Sequence, residues 1–291
     1  METFIAQFIN SIALGSIYAL LVIGFNLLVL VTGIFPYAYA HVVVFSMYMC
    51  WIGLKISNNN VIVGIIFAIV SAIALSLVTE PLFRPLSRRG AQLGSFIVAM
   101  AIGSIITEIL AQNLNKGIVI NFPVELKGQG SLIRFGVSAI SIGQIATVAG
   151  SIVAGGFFFY ILFRTKQGRA FTAIGQSSFN ARLLGLPITK IGLLAFAITG
   201  ILGGISAIFL SMSLGTASAS LGNNLALKIM AVALFAGVGN IGGGIAAALI
   251  LGLAENMAMG YLPGTLSQAI AFAMIMIVVM IRPQGLFGTK S

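Results

Sequence analysis

The sequence predicts an all-α polytopic membrane protein with about eight to ten transmembrane helices, some of them discontinuous, and an internal repeat. Three observations predict it. The 291 residues are 59% hydrophobic and only 7% charged, whereas a soluble domain carries about 25% charged residues. Several runs reach the roughly 20 apolar residues that cross a bilayer. These runs lack strict alternation, which selects helix over barrel strand. No polar stretch is long enough to build a second core, so a single membrane domain over residues 1–291 is expected.

The runs fall at residues 4–31, 37–54, 61–79, 93–112, 142–163, 191–213, 225–238, 241–259 and 266–281. The first has no basic leader and no small-residue cleavage site followed by a polar domain, so it reads as a span and not a signal peptide. Segment 80–90 carries Arg84, Arg88 and Arg89. Segment 164–190 carries Arg164, Lys166, Arg169, Arg182 and Lys190, and the tail carries Arg282 and Lys290. Lys and Arg collect on the cytoplasmic side, which places all three there. Segments 55–60, 113–141, 214–224 and 260–264 are poorer in basic residues for their length. Nine crossings then put the N-terminus outside and the C-terminus inside. The net charge of +10 follows from this flanking pattern, and a nucleic-acid partner is not expected.

Two stretches do not read as ordinary spans. In residues 32–45, TGIFPYAYAHVVVF, Gly33 and Pro36 interrupt an apolar run. Pro36 removes a backbone donor and disfavours helix at Phe35. In residues 225–244, LALKIMAVALFAGVGNIGGG, a short apolar helix ends at Gly239 and Asn240, with three glycines beyond. Broken helices at membrane depth are tolerated where they pack in protein or line a wet cavity. Matching breaks in two halves are a mark of transporter repeats. Glycines also let helices approach closely. Packing is the preferred reading for Gly200, Gly203, Gly204 and Gly252, and a functional break for Pro36 and for Gly242, Gly243 and Gly244.

Little enzymatic chemistry is available. Cys50 is the only cysteine, His41 the only histidine, and there is no aspartate. This excludes an internal disulfide, a CxxC metal pair and a Ser-His-Asp triad; no metal site is expected. No GxxxxGK[ST] stretch is present, so ATP is not bound through a P-loop. Glu108 and Glu255 are the carboxylates expected at membrane depth, where a charge is costly and functional by default. A coupling site is one reading; a hydrogen bond within the bundle, or a span end, is the other. His41 follows Pro36, Tyr37 and Tyr39, and reads as a packing residue or as part of the pathway lining. Lys228 reads as a residue that snorkels outward.

Segment 164–190, RTKQGRAFTAIGQSSFNARLLGLPITK, holds five of the fifteen basic residues and no acid. Ala170, Phe171, Ala173 and Ile174 form an apolar stripe at helical spacing. Ala181, Leu183 and Leu184 follow, then Gly185 as a helix stop with Pro187 beyond. A solvated loop does not need that stripe. The segment is either an interfacial helix lying on lipid or, as preferred, a docking helix for a soluble cytoplasmic partner.

The same residues resemble the cytoplasmic loop of LivH-type permease subunits of branched-chain amino acid ABC importers. Thr165, Gly168, Ala170 and Ala173 match the first part of that family's pattern, and Ala181 and Gly185 the second, with Leu186 in place of isoleucine. The stretch LKIMAVALFAGVGNIGGGIAAALILGLAE matches at Lys228, Ala233, Gly237, Gly239, Gly243, Gly252 and Glu255. The first span and the tail IRPQGLFG are also similar, so the resemblance covers nearly the whole chain. Departures lie at Thr172, where the family has arginine, at Glu108, and after the first span. There only Ala40 and His41 remain of an N-F-A-H-G motif.

The resemblance implies an inner-membrane permease subunit that moves branched-chain or other hydrophobic amino acids from periplasm to cytoplasm. It implies four kinds of partner: a second, LivM-like permease, two cytoplasmic ATPases, a periplasmic binding protein, and lipid. ATP and Mg would sit on the ATPases, with no cofactor in this chain and no reaction catalysed by it. Gly168, Arg169, Ala170, Ala173, Ala181 and Gly185 would form the coupling element. Pro36, Tyr37, Tyr39, His41, Glu108 and Glu255 would border the path. Urea or short amides are an alternative cargo, and an ion-coupled secondary carrier is the alternative mechanism.

Overall fold

A computed structural model describes residues 2–89, 92–114, 118–123, 126, 132–135, 138–261, 273, 276–278, 280–282 and 285–287. Helix α1 runs Glu2–Thr32, α2 Tyr39–Ile56, α3 Val61–Arg89 and α4 Gln92–Ile109, which closes in a π-helical turn at Leu110–Leu114. Helix α5 runs Ile142–Arg164, followed by two short helices, α6 Lys166–Gln176 and α7 Ser178–Leu183. Then come α8 Ile188–Leu214, α9 Leu221–Ala236 and α10 Ile241–Tyr261. Among the described residues, strand is confined to two small antiparallel pairs. β1 Ile120–Asn121 lies beside β4 Thr216–Ala217, and β2 Leu132–Phe135 beside β3 Ser138–Ser141. The all-α expectation is met.

Seven helices among the described residues are long and apolar enough to cross a membrane. Helix α9 is apolar but shorter than these, as expected for a span bounded by a break. The predicted crossing at 266–281, the loop at 260–264 and the end of the tail lie wholly or largely outside the described residues. We call the end bearing Arg164, α6 and α7 the inner end, following the charge pattern.

Helix α1 is the axis of the bundle. It packs along α10, α8 and α5, and α3 packs along α2 and α8. The close approaches come from small residues, as small-residue interfaces in lipid do. A Cβ on Gly200 would stand 2.8 Å from the Ile73 Cα, and one on Gly204 2.8 Å from the Ile69 Cα. Gly252 meets the backbone of Gly15. The packing reading of these glycines therefore holds.

Two expectations are corrected. The stretch 80–90 is not a loop: α3 continues to Arg89 through Pro81 and Pro85. Proline normally ends a helix by removing a hydrogen bond. Here Arg84 grips Glu80 one turn back, Nε to Oε1 at 2.9 Å and Nη2 to Oε2 at 2.6 Å. Phe83 is buried and stacks on Phe196 of α8, so tertiary packing holds the turn. The second correction concerns Gly242, Gly243 and Gly244, which lie inside the first turn of α10. The break falls just before them, at Gly237 and Asn240. Gly243 faces Phe287, and Gly244 faces Val22 and Asn26 of α1.

Candidate functional site

Three regions carry polar groups where an apolar bundle would not need them. The first is the break between α1 and α2. Helix α1 stops at Thr32, and Gly33 turns the chain with φ +70. Tyr39 at the start of α2 reaches back to α1 with its side chain, whose hydroxyl lies against Gly24. At about 1.5 Å per residue, Gly24 is roughly 12 Å in from the end of α1. The break is partly buried: Gly33 is exposed, while Ile34, Pro36, Ala38 and Tyr39 are buried and Tyr37 is half-buried.

His41 sits in the first turn of α2, buried, with Nε2 2.9 Å from Asn223 Oδ1 of α9. Its ring fills the space that a Cβ on Gly103 of α4 or Gly222 of α9 would need. Tyr37 lies beside it, with ring centroids 5.4 Å apart, and Tyr37 in turn meets Phe96 edge-on. The histidine therefore joins three helices through one ring. The two sequence readings of His41, packing and pathway, concern the same position.

The second region is the break between α9 and α10. Gly237 and Gly239 take φ of +100 and +80, which only glycine adopts without strain. Asn240 caps α10 by accepting from Gly243 N at 2.8 Å. Asn26 of α1, fully buried, closes the break from the side: it accepts from Gly239 N and donates to Asn240 O, both at 3.2 Å. The tail completes it, as Leu286 and Phe287 donate to the free carbonyls of Phe235 and Ala236.

The third region lies toward the outer end. Glu255 of α10 is 0% exposed. Its Oε2 accepts from Tyr18 Oη of α1 at 3.0 Å, and its Oε1 pairs with Lys228 Nζ of α9. Lys228 Nζ also reaches Tyr18 Oη at 3.2 Å, and the lysine side chain is only 15% exposed. Lys228 therefore does not snorkel outward. It turns inward because a buried carboxylate on the next helix needs a cation. The three groups line a cavity of about 360 Å³ bordered by the outer ends of α1, α5, α8, α9 and α10.

Glu108 is not brought to this cluster. It lies on the exposed face of α4 with Gln112 Nε2 as its partner. Of the two carboxylates singled out in the sequence, one is a buried partner in a network and the other faces outward. Tyr18, Asn26 and Asn223 were missed. Their signal was a polar residue amid apolar helix in two cases, and an amide just after a loop in the third.

At the inner end, α6 and α7 are well-formed helices. Thr165 Oγ1 accepts from Gly168 N to cap α6, and Ser177 Oγ from Asn180 N to cap α7. Helix α7 ends in a Schellman motif: Gly185, with φ +77, donates to Arg182 O at 2.9 Å, and Leu186 to Ala181 O at 3.1 Å. Gly168, Phe171, Ile174 and Ala181 are buried, whereas Ala170 and Ala173 are half-buried and Arg169 and Gly185 exposed. Gly175 lies on Leu30, at the end of α1. The apolar stripe thus faces the bundle and not lipid. Phe179, Leu183 and Leu184 remain 69%, 73% and 78% exposed on the far side.

Comparison with known proteins agrees with the resemblance seen in the residues. Residues 7–279 match the family described as the permease component of branched-chain amino acid transport systems. The chain is 25% identical to the high-affinity branched-chain amino acid transport system permease protein LivH of Salmonella typhimurium, over 98% of this chain and 96% of that one. It is also 25% identical, with the same coverage, to the corresponding permease protein BraD of Pseudomonas aeruginosa. A shorter likeness, 32% over 45% of this chain and 41% of the relative, is to the autoinducer 2 import system permease protein LsrD of Salmonella paratyphi B. With its membrane-length helices the chain is a multi-pass membrane protein, and it belongs to the family of permease components of branched-chain amino acid transport systems.

Proposed function

We propose that this chain is the inner-membrane permease subunit of an ATP-driven importer that carries branched-chain or other hydrophobic amino acids into the cytoplasm. A second, homologous permease subunit, two cytoplasmic ATPases and a periplasmic binding protein complete the machine. ATP and Mg belong to the ATPases; this chain supplies the path and the mechanical contact. The observation that carries the reading is the family match over nearly the whole chain. The capped helices α6 and α7 support the mechanical part, since they bury one face and expose Phe179, Leu183 and Leu184 beyond it. Exposed leucines and phenylalanine flanked by Arg169 and Arg182 suit a protein groove.

In this reading Gly168, Ala170, Ala173, Ala181 and Gly185 shape the coupling element, and Arg169 faces the ATPase. Pro36, Tyr37, Tyr39 and His41 border the path at the first break. An ion-coupled carrier would want a membrane-depth carboxylate free to take up a cation. Glu255 is instead engaged by Lys228 and Tyr18, and Glu108 faces outward, which favours the ATP-driven reading.

The test is uptake of leucine into proteoliposomes holding the permeases, the ATPases and the binding protein. Uptake is expected to need ATP and to fall about tenfold or more in Leu183→Asp with Leu184→Asp, because each buried leucine contributes roughly 1.5–3 kcal/mol to such a contact. Copurification of the ATPases should fall with it. Uptake that persists without ATPases and collapses with the proton gradient would reject the proposal.

A further inference from the structure

The outer cavity holds a chemical pattern that the import reading does not by itself require. Lys228 and Glu255 sit on neighbouring helices separated by the break at Gly237 and Asn240. In this arrangement they satisfy each other, with Tyr18 bridging both. A buried ion pair contributes little net stability over apolar residues of similar size, since removing both charges from water offsets their attraction. Packing therefore gives no strong reason for its presence, and three apolar helices could have met without it. The pair also lines a cavity, whose size lies within the roughly 300–1,000 Å³ usual for small-molecule sites. Around the pair the wall is of two kinds. Leu14, Leu210, Leu225 and Met259 are apolar, while Asn10 and Asn224 present amides.

A wall with one cation, one anion, a hydroxyl, amides and a leucine-rich surface is complementary to one class of molecule. We propose that the cavity is a transit site for an amino-acid zwitterion, which takes the place of the ion pair. The substrate carboxylate binds Lys228, its ammonium binds Glu255 and Tyr18 Oη, and its apolar side chain lies on the leucines. No bond is made or broken. The exchange conserves charge: two partners are replaced by two, so neither protein group is left unpaired in the wall. A ligand with one charge cannot do this, because it frees one buried ion for each it satisfies. Opening the pair costs free energy, so the site is weak, as a site that must release its cargo onward has to be. This assignment rests on the import reading for its choice of cargo, but its geometry can be tested apart from it.

The experiment uses the permease assembly, in lipid nanodiscs for binding and in proteoliposomes for uptake, and three probes sharing the leucine side chain: L-leucine, 4-methylpentanoate and 3-methylbutylamine. Leucine is expected to raise the thermal unfolding midpoint, and each single-charge analogue to bind at least about tenfold more weakly. The variant Lys228→Met with Glu255→Leu removes both charges and leaves neither unpaired. Its ATP-driven leucine uptake is expected to fall to about a tenth or less with the assembly intact. Leucine uptake by the wild type, with no leucine-dependent shift and with normal uptake in the double variant, overturns the site and leaves the import reading standing. A shift specific to the zwitterion without ATP-driven uptake upholds the site and overturns the import reading. Equal shifts from leucine and both analogues overturn the exchange. Should the double variant fail to assemble, the wild-type analogue series decides.

Discussion

The two breaks pack on the same helix within a turn of one another, yet they are held in different ways. The first touches Gly24 through the Tyr39 side chain and is closed locally, with Tyr39 N donating to Pro36 O, Gly33 N to Val29 O and Ile34 N to Thr32 Oγ1. One of its hydroxyls, Tyr39 Oη, is buried and has no hydrogen-bond partner among the described residues. The second lies against Asn26; besides its local bonds, Asn240 N to Gly237 O and the Asn240 cap, it is tied from outside by that side chain and by the tail at Leu286 and Phe287. Irregular backbone at membrane depth must be satisfied within the protein. One break does so locally and depends on steric fit. The other also draws on distant groups and depends on their presence.

Three substitutions sharpen this contrast. The largest effect is expected from Asn26→Leu, which leaves Gly239 N and Asn240 O without their partner. Leaving buried polar groups unmade costs about 1–3 kcal/mol each. The unfolding midpoint in denaturing detergent should drop accordingly, and an unchanged midpoint would mean that the second break does not need its tie. An intermediate effect is expected from Gly24→Ala. Its Cβ would lie 2.6 Å from Tyr39 Oη and 3.3 Å from Thr199 Cγ2, an overpacking cost of about 1–3 kcal/mol. Adding Tyr39→Phe should recover part of that loss, a coupling that a double-mutant cycle reads directly. The smallest effect belongs to Tyr39→Phe alone. It removes an unpartnered hydroxyl and should leave stability equal or slightly raised; a clear loss would reveal a partner for that oxygen.

Much of the architecture was legible in the amino-acid pattern because a bilayer imposes simple rules. Long apolar runs located α1, α5 and α8 closely, and Gly33 with Pro36 marked the first break. Local signals failed where packing overrode them. Segment 80–90, set apart by its arginines where the apolar run ends, reads as a connection, but the Arg84 grip on Glu80 and the Phe83 stack on Phe196 keep α3 helical. Polar partners were the least legible. Lys228 and Glu255 meet only because the chain doubles back between α9 and α10, so neither residue's neighbours in sequence reveal the pair. The available clue was general: a cation and an anion in adjacent apolar helices need each other. Asn26 offered the same kind of clue, a lone amide in an apolar run.

Helix α1 runs without interruption from Glu2 to Thr32 and meets every region discussed. Leu30 touches Gly175 of α6, Asn26 ties the second break, Gly24 seats the first, and Tyr18 bridges the outer ion pair. A continuous helix keeps its length at about 1.5 Å per residue, so it behaves as a shaft and not a spring. Leu30 and Tyr18 stand roughly 18 Å apart on it, with the contacts to both breaks between them. The span that first reads as a plain membrane anchor thus joins the inner end, at Leu30, to the grip on Glu255, at Tyr18.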